Sequence, residues 1–188
     1  MHVIVPKIAA MKIISCWRKR STILFMVFFF VLTAWHLPNH HNPGNQELPD
    51  VTITNLDGEK TDIRQFGKND KITVISFWAT WCKPCKKELS NLSNLYPEWK
   101  DKYNVEIVAV STDDSRNRSN VVTYVNGQAW DFEVLLDSNQ KLKRALNFQA
   151  IPYTVLLDKN GKIAYTHKGY VSGDEYVLED KIKQLVNK

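Results

Sequence analysis

Cysteine is scarce in this sequence, with three residues among 188. Cys16 lies within the first 35 residues, so the rest of the chain contains only Cys82 and Cys85. Two cysteines are too few for a disulfide-stapled scaffold, and a structural zinc site needs four ligands. After residue 49 the only histidine is His167, and there is no second C-x-x-C pair. We therefore expect a single redox pair, with no bound metal and no cofactor.

Acidic residues are missing from residues 1–35, which contain five of the 25 lysines and arginines. The other 20 basic residues are balanced by all 20 acidic residues, so residues 36–188 have no formal net charge. The net charge of +5 therefore comes from the N-terminal segment alone. This distribution argues against a nucleic-acid-binding surface and indicates a signal for membrane topology.

Residues 21–35 form an uncharged, mostly apolar run that follows the basic cluster at residues 17–20. Such a pattern is typical of a membrane-targeting segment whose basic end stays in the cytoplasm. The run is shorter than the roughly 20 residues of a full span, yet no small-x-small cleavage site follows it. We interpret residues 1–20 as a cytosolic N-terminus and residues 21–35 as an uncleaved anchor rather than a cleaved signal sequence. The rest of the chain would then face the periplasm from the inner membrane.

Residues 36–49 are polar, contain three prolines and one glycine, and predict a flexible linker. From residue 50 to residue 188, predicted strands and helices alternate, which indicates one α/β domain with a mixed, mostly parallel central sheet flanked by helices. Strands are predicted at residues 51–56, 60–63, 72–77, 105–111, 132–136, 153–157 and 162–165, of which the first two and the last two form hairpins around the turns Asp57-Gly58 and Asp158–Gly161. Helices are predicted at residues 85–96, 116–125, 140–146 and 174–186.

The two remaining cysteines form the motif Cys82-Lys83-Pro84-Cys85 at the junction of a predicted strand and a predicted helix. At this spacing and at a helix start, their sulfur atoms can come within bonding distance. The positive end of the helix dipole should stabilise the thiolate of Cys82, and the adjacent Lys83 should add to that effect. Pro84 is tolerated because the first turn of a helix has no intrahelical N–H bond to lose.

Residues 77–88, with the sequence FWATWCKPCKKE, resemble the active-site segment of thioredoxins and are more similar still to the membrane-anchored, extracytoplasmic TlpA/ResA-like branch. Residues 148–152, FQAIP, with the strand and the DKNG turn that follow, resemble the second landmark of that family. The similarity extends over about residues 48–185, which is the whole predicted domain. It implies a thioredoxin fold with an N-terminal hairpin and an inserted helix–strand element.

The resemblance implies a thiol–disulfide oxidoreductase in which Cys82 is the exposed nucleophile and Cys85 is the resolving thiol. It also implies that Pro152 is a cis-proline opposite the disulfide, where the backbone of Ile151 would pair with an extended substrate. By the same resemblance, the expected activity is reduction of disulfide-bearing exported proteins, apocytochromes c among them. A membrane protein would supply the electrons.

Glu88 falls within the apolar arc of the predicted helix, together with Cys85, at 100° per residue. A carboxyl group on the core face should have a raised pKa and would accept the proton that Cys85 loses when it attacks a mixed disulfide. A matching glutamate is functional in the ResA-like branch; the alternative is a solvated charge on the flank of the helix. Trp78 and Trp81 bracket the cysteines and are expected to shield the sulfur atoms and to form an apolar surface for partners.

Two other functions stay open on the sequence. A peroxidase would share the N-terminal hairpin but requires a lone peroxidatic cysteine rather than a C-x-x-C pair. A copper chaperone of the same fold would combine the cysteine pair with a nearby histidine, because soft thiolates suit Cu(I). His167 is the only candidate, and no feature of the sequence brings it near Cys82. Ala150 and Tyr153 depart from the family pattern beside Pro152, where the resemblance places the substrate groove, and leave the identity of the substrate open.

Overall fold

The computed structural model describes residues 46–187. The predicted cytosolic N-terminus, the predicted anchor and residues 36–45 of the predicted linker lie outside this range. Within it, no helix has both the length and the apolar character needed to cross a membrane. The strands are β1 Thr52–Asn55, β2 Lys60–Asp62, β3 Ile72–Trp78, β4 Val105–Ser111, β5 Glu133–Leu136, β6 Tyr153–Leu157 and β7 Ile163–Lys168. The α-helices are α1 Lys83–Tyr103, α2 Arg118–Asn126, α3 Lys141–Ala145 and α4 Asp174–Val186, with 3-10 turns at Ile63–Gly67 and Ser115–Asn117.

The seven strands form one sheet in the order β2-β1-β5-β4-β3-β6-β7. Only β3–β4 and β4–β5 are parallel pairs, and the other four pairings are antiparallel. The predicted mixed sheet flanked by helices is therefore confirmed, although parallel pairing is confined to the three central strands and is not the majority. Two antiparallel pairings, β1–β2 and β6–β7, are the predicted hairpins, in which a tight turn joins the strands, whereas parallel neighbours need a long crossover. The other two, β1–β5 and β3–β6, join strands that are distant in the sequence. Helices α1 and α2 supply the two crossovers.

Helix α1 runs past its predicted end at Tyr96, through Pro97, to Tyr103. A proline within a helix removes one backbone hydrogen bond, but buried aromatic side chains hold the helix against the sheet on both sides of Pro97. Trp99, on the far side, is fully buried. Asn104 caps the C-terminus of the helix. Its φ of 53° is left-handed, a conformation that asparagine adopts more readily than most residues.

Alternate residues of β3 divide the core into two layers. Val74 and Trp78 lie in the layer that also contains buried residues of α1, α2 and α4. Ile75 lies in the opposite layer with Leu142 of α3. Ser76 shares the face of Val74 and Trp78, because alternate residues of a strand point to the same side. The sheet therefore holds a buried hydroxyl group under the helix that carries the cysteines.

The last residues of the predicted linker belong to the fold. The carbonyl of Gln46 accepts a hydrogen bond of 2.7 Å from the N–H of Ile163, and Glu47 forms an antiparallel bridge with Lys162. Leu48 is buried in the core layer on the α3 side of the sheet. The predicted start of the domain is therefore a few residues too late, because burial of Leu48 and backbone pairing of its neighbours outweigh the polar composition of the segment.

Candidate active site

The two cysteines of the C-x-x-C motif lie at the N-terminus of α1 and are joined by a disulfide bond. Cys82 caps the helix: its backbone is extended, and its sulfur accepts a hydrogen bond of 3.3 Å from the N–H of Cys85. Pro84 lies in the first turn, where N–H groups have no intrahelical partner. The positive end of the helix dipole therefore points at the sulfur of Cys82 and stabilises negative charge there once the disulfide is reduced.

Cys82 is less exposed to solvent than the family resemblance implied. Cys82 is 4% exposed and Cys85 is fully buried, so Cys82 is the more accessible cysteine but not an exposed one. The physical reason is that both cysteines pack into the core layer under α1, together with Trp78. The neighbours of the disulfide on the surface are exposed: Trp81, at 71%, Lys83 and Pro84.

Trp78 is fully buried and belongs to the core, so it forms no part of a surface for partners. Its ring lies 5.5 Å from that of Tyr124 and 5.4 Å, edge-on, from that of Trp130, measured between centroids. Its indole N–H is the only buried side-chain polar atom without a hydrogen-bond partner among residues 46–187. Of the two tryptophans expected at the surface, only Trp81 lies there.

Glu88 lies on α1 one turn after Cys85 and is 4% exposed. Its carboxylate accepts hydrogen bonds from Oγ1 of Thr154 at 2.6 Å and from Oγ of Ser76 at 3.3 Å. Burial raises the pKa of Glu88 to about 7, against these two hydrogen bonds, which lower it. A carboxyl group that titrates near neutral pH, one turn from a cysteine, can hold or release a proton during thiol chemistry.

The peptide bond between Ile151 and Pro152 is cis and lies directly before β6. Because Tyr153 pairs with Phe77 in the sheet, this bond lies at the edge where β3 ends and the cysteine loop begins. Among residues 46–187, no hydrogen bond to the backbone of Ile151 is found. Tyr153 is buried and stacks on Phe148, with ring centroids 4.2 Å apart. It therefore packs in the core and does not line a substrate groove, contrary to the expectation from sequence.

Asp113 holds the loop that leads to Cys82, although no motif in the sequence singles it out. Its two carboxylate oxygens accept hydrogen bonds from the N–H of Thr80 at 2.8 Å and from the hydroxyl of Thr80 at 2.7 Å. The hydroxyl of Ser111 donates to the same carboxylate at 2.9 Å. The sequence did contain a signal for this contact, since polar residues directly follow the buried run of β4. Because β3 and β4 are parallel neighbours, their carboxyl ends meet at one edge of the sheet, and the residues after β4 lie beside the loop after β3.

Comparison with known proteins places this geometry in a family. The matching family model is described as the AhpC/TSA family and covers residues 45–166. The thiol–disulfide oxidoreductase ResA of Bacillus anthracis is 35% identical over 140 residues, which are 74% of this chain and 77% of that protein. The chain belongs to the AhpC/TSA family as a ResA-like thiol–disulfide oxidoreductase.

Two further similarities support the assignment of this ResA-like oxidoreductase. The thioredoxin-like protein YneN of Bacillus subtilis is 28% identical over 166 residues, which cover 85% of this chain and 94% of that protein. The solution structure of a thioredoxin-like protein from Porphyromonas gingivalis has a TM-score of 0.67 and 41% identity, and covers 74% of this chain and 92% of that one. The thioredoxin fold predicted from the sequence is confirmed.

The chemistry available to this ResA-like oxidoreductase lies at one edge of the sheet. The disulfide, the buried acid Glu88 and the backbone of Ile151 lie where β3, α1 and β6 meet. The pair Cys82 and Cys85 can exchange two electrons, and Glu88 can exchange a proton. In the described part of the chain, no three histidine, cysteine or acidic side chains come together as a possible metal site.

Proposed function

We propose that this oxidoreductase reduces disulfide bonds of exported proteins by dithiol exchange through Cys82 and Cys85. The observation that carries the proposal is the bonded cysteine pair at the start of α1, one turn from the buried carboxyl group of Glu88. The thiolate of Cys82 attacks a partner disulfide, a mixed disulfide forms, and one partner thiolate leaves. Cys85 then attacks the sulfur of Cys82 and releases the second partner thiol, so the enzyme is oxidised as the partner is reduced.

Glu88 and Lys83 have separate parts in this exchange. The carboxylate of Glu88 accepts the proton of Cys85, which is fully buried and has to become a thiolate before it can attack. The ammonium group of Lys83, which adjoins Cys82 on the surface, favours the thiolate of the attacking cysteine.

The partner binds as an extended segment beside the disulfide. The backbone of Ile151, before Pro152, offers unpaired hydrogen-bonding groups to such a segment, as in strand addition. Trp81, largely exposed next to Cys82, supplies apolar contact area. Recognition of this kind requires an accessible backbone and an apolar side chain in the partner, so it suits unfolded or partly folded exported proteins.

The proposed setting is the periplasmic side of the inner membrane, with residues 21–35 as a single-pass anchor. The basic residues before that run and the polar segment after it support this orientation. A membrane protein re-reduces Cys82 and Cys85 after each turnover, and apocytochromes c are the proposed class of target.

The test of direction is the reduction potential of the full-length chain, in a Cys16→Ser background so that only one pair reacts. Equilibration against thiol buffers followed by alkylation gives the fraction reduced. A potential near or below roughly −270 mV, as in thioredoxin, supports a reductase, and one near −120 mV, as in DsbA, indicates an oxidase. Turnover with peroxide in place of a disulfide would favour the peroxidase alternative. Binding of Cu(I) by Cys82 and Cys85, without formation of a disulfide bond between them, would favour the copper chaperone.

A further inference from the structure

A cavity lies beside Glu88, between α1, α4 and the sheet. The polar residues in its wall include Thr154, His167 and Asp174. The exchange reaction described above uses Glu88 but none of the groups across the cavity from it.

His167 is brought to this cavity by the register of the sheet. On β7 it lies directly opposite Thr154 of β6, whose hydroxyl group donates to Glu88. Residues directly opposite each other on antiparallel strands point to the same face, so His167 lies beside the hydrogen-bonded pair. A positive charge on His167 favours the ionised form of Glu88 and lowers its pKa.

Both ring nitrogens of His167 have polar neighbours. Nε2 lies 3.0 Å from Oδ2 of Asp174, and Nδ1 lies 3.3 Å from the hydroxyl of Tyr165. The carboxylate of Asp174 therefore accepts a hydrogen bond from Nε2–H and holds the ring at the cavity, while its own negative charge opposes the effect of a charge on His167 and raises the pKa of Glu88. The side chain of His167 is 32% exposed, so it reaches solvent, whereas Glu88 does not.

The other ionisable groups in the wall of the cavity include Tyr170 and Glu175. Burial and the hydrogen bond to Glu175 raise the pKa of Tyr170 to about 12. Burial opposes ionisation of Glu175, but hydrogen bonds from its own N–H and from Tyr170 outweigh it and lower its pKa. The ammonium of Lys181 lies over the ring of Tyr165, 5.7 Å from its centroid. Among the described residues that line the cavity, His167 is the one basic side chain, and it lies directly opposite the residue that donates to Glu88.

We propose that His167, held by Asp174, is a positioning residue that favours the ionised form of Glu88, which accepts the proton of Cys85. The inference rests on the proposed function, because it requires that role for Glu88. In the step concerned, the S–H of Cys85 gives its proton to the carboxylate of Glu88, and the resulting thiolate attacks the sulfur of Cys82. The bond from Cys82 to the partner breaks, and the partner leaves with the electron pair and takes a proton from water.

The experiment uses the reduced full-length chain, in the Cys16→Ser background, and an aromatic disulfide whose released thiolate absorbs visible light. Attack by Cys82 releases the first thiolate, and resolution by Cys85 releases the second. The pH midpoint of the second phase is measured in His167→Gln, which has no charge, and in His167→Lys, which keeps a positive one. We expect the midpoint to rise in His167→Gln and to fall in His167→Lys. Below the midpoint, His167→Gln should resolve the mixed disulfide at least about threefold more slowly than the wild type.

The matched controls are Thr166→Gln and Thr166→Lys, since Thr166 is the exposed neighbour of His167 on the same strand. They should leave the midpoint unchanged. A merely structural role for His167 predicts shifts of the same sign in both of its variants, and that result would overturn the inference. In a Glu88→Gln background, neither His167 substitution should alter the second phase. If Glu88→Gln itself leaves that phase unchanged, the proposed role of Glu88 fails; if it slows the phase and the His167 variants behave as wild type, only the inference fails.

Discussion

The hydroxyl group of Thr154 donates a hydrogen bond of 2.6 Å to the carboxylate of Glu88, although the two residues are 66 positions apart in the sequence. Thr154 lies on β6, Glu88 on α1, and the weaker donor Ser76 on β3. Burial makes the acid hold its proton up to about pH 7, and the two hydroxyl groups limit that effect. The protonation of Glu88 is therefore a property of three elements rather than of the helix that carries it.

Replacement of Glu88 by glutamine is expected to slow the second phase of disulfide exchange, in which Cys85 resolves the mixed disulfide. Loss of a positioned proton acceptor costs about 10²–10⁴-fold in rate. The wild-type rate should rise with pH through about 7, where Glu88 ionises, and the variant should lack that rise. Stopped-flow absorbance with a chromogenic disulfide measures both phases. Glu98→Gln, an exposed position on the same helix, is the control, and equal slowing in both variants would contradict the prediction.

The free energy of unfolding of the oxidised chain should depend on pH through Glu88. Its pKa is about 7 when folded, against 4.5 for an ordinary glutamate, so between these values the unfolded chain loses the proton first. Ionisation then favours unfolding, and stability falls as pH rises. Relative to Glu88→Gln, the wild type should lose on the order of 3 kcal/mol across this range. Denaturant titrations of both proteins at several pH values give the difference, and parallel curves would disprove the assignment.

Loss of either hydroxyl donor should move the pH midpoint of the second phase upward, and by different amounts. Thr154→Val removes the bond of 2.6 Å and Ser76→Ala the bond of 3.3 Å, so the shift should be larger for Thr154→Val. The hydrogen bond itself contributes about 1 kcal/mol to stability. The midpoint is read from the rate of the second phase against pH. Thr166→Val on the exposed face of β7 is the control, and a downward shift in either variant would contradict the geometry.

Truncation of Trp81 to alanine should weaken partner binding without destabilising the fold. The side chain is 71% exposed, so the change in the free energy of unfolding should stay within about 0.5 kcal/mol. An aromatic anchor at an interface contributes about 2 kcal/mol, so KM for a protein disulfide should rise roughly thirtyfold, while a small disulfide reacts as before. Steady-state kinetics with both substrates separate the two effects. Tyr176→Ala, which truncates another largely exposed aromatic side chain, on α4, should leave both values unchanged.

Local sequence pattern predicts much of the secondary structure and the direction of Glu88. The bounds of β4, β6 and α4 match the predicted segments, because each has a regular pattern of apolar residues. The helical period places Glu88 on the core face, and it is buried there. Helix α1 is longer than predicted because a proline such as Pro97 usually marks the end of a helix in sequence. Here the burial of aromatic residues beyond Pro97 stabilises the helix as far as Tyr103. The hairpins β1–β2 and β6–β7 follow from their turn residues, but the antiparallel pairings β1–β5 and β3–β6 join strands that are distant in the sequence, so no local pattern predicts them.

The sequence by itself determined the redox pair, its place at a helix start, and the family, because each of these is carried by neighbouring residues. The tertiary structure alone decided which groups meet the buried acid. Thr154 and Ser76 reach Glu88, and His167 lies opposite Thr154, only through the pairing of β3, β6 and β7. A shift of one residue in that pairing would turn each of these side chains to the other face of the sheet, because side chains alternate along a strand. Register is set by the packing of the whole core, so no local stretch of sequence specifies these contacts.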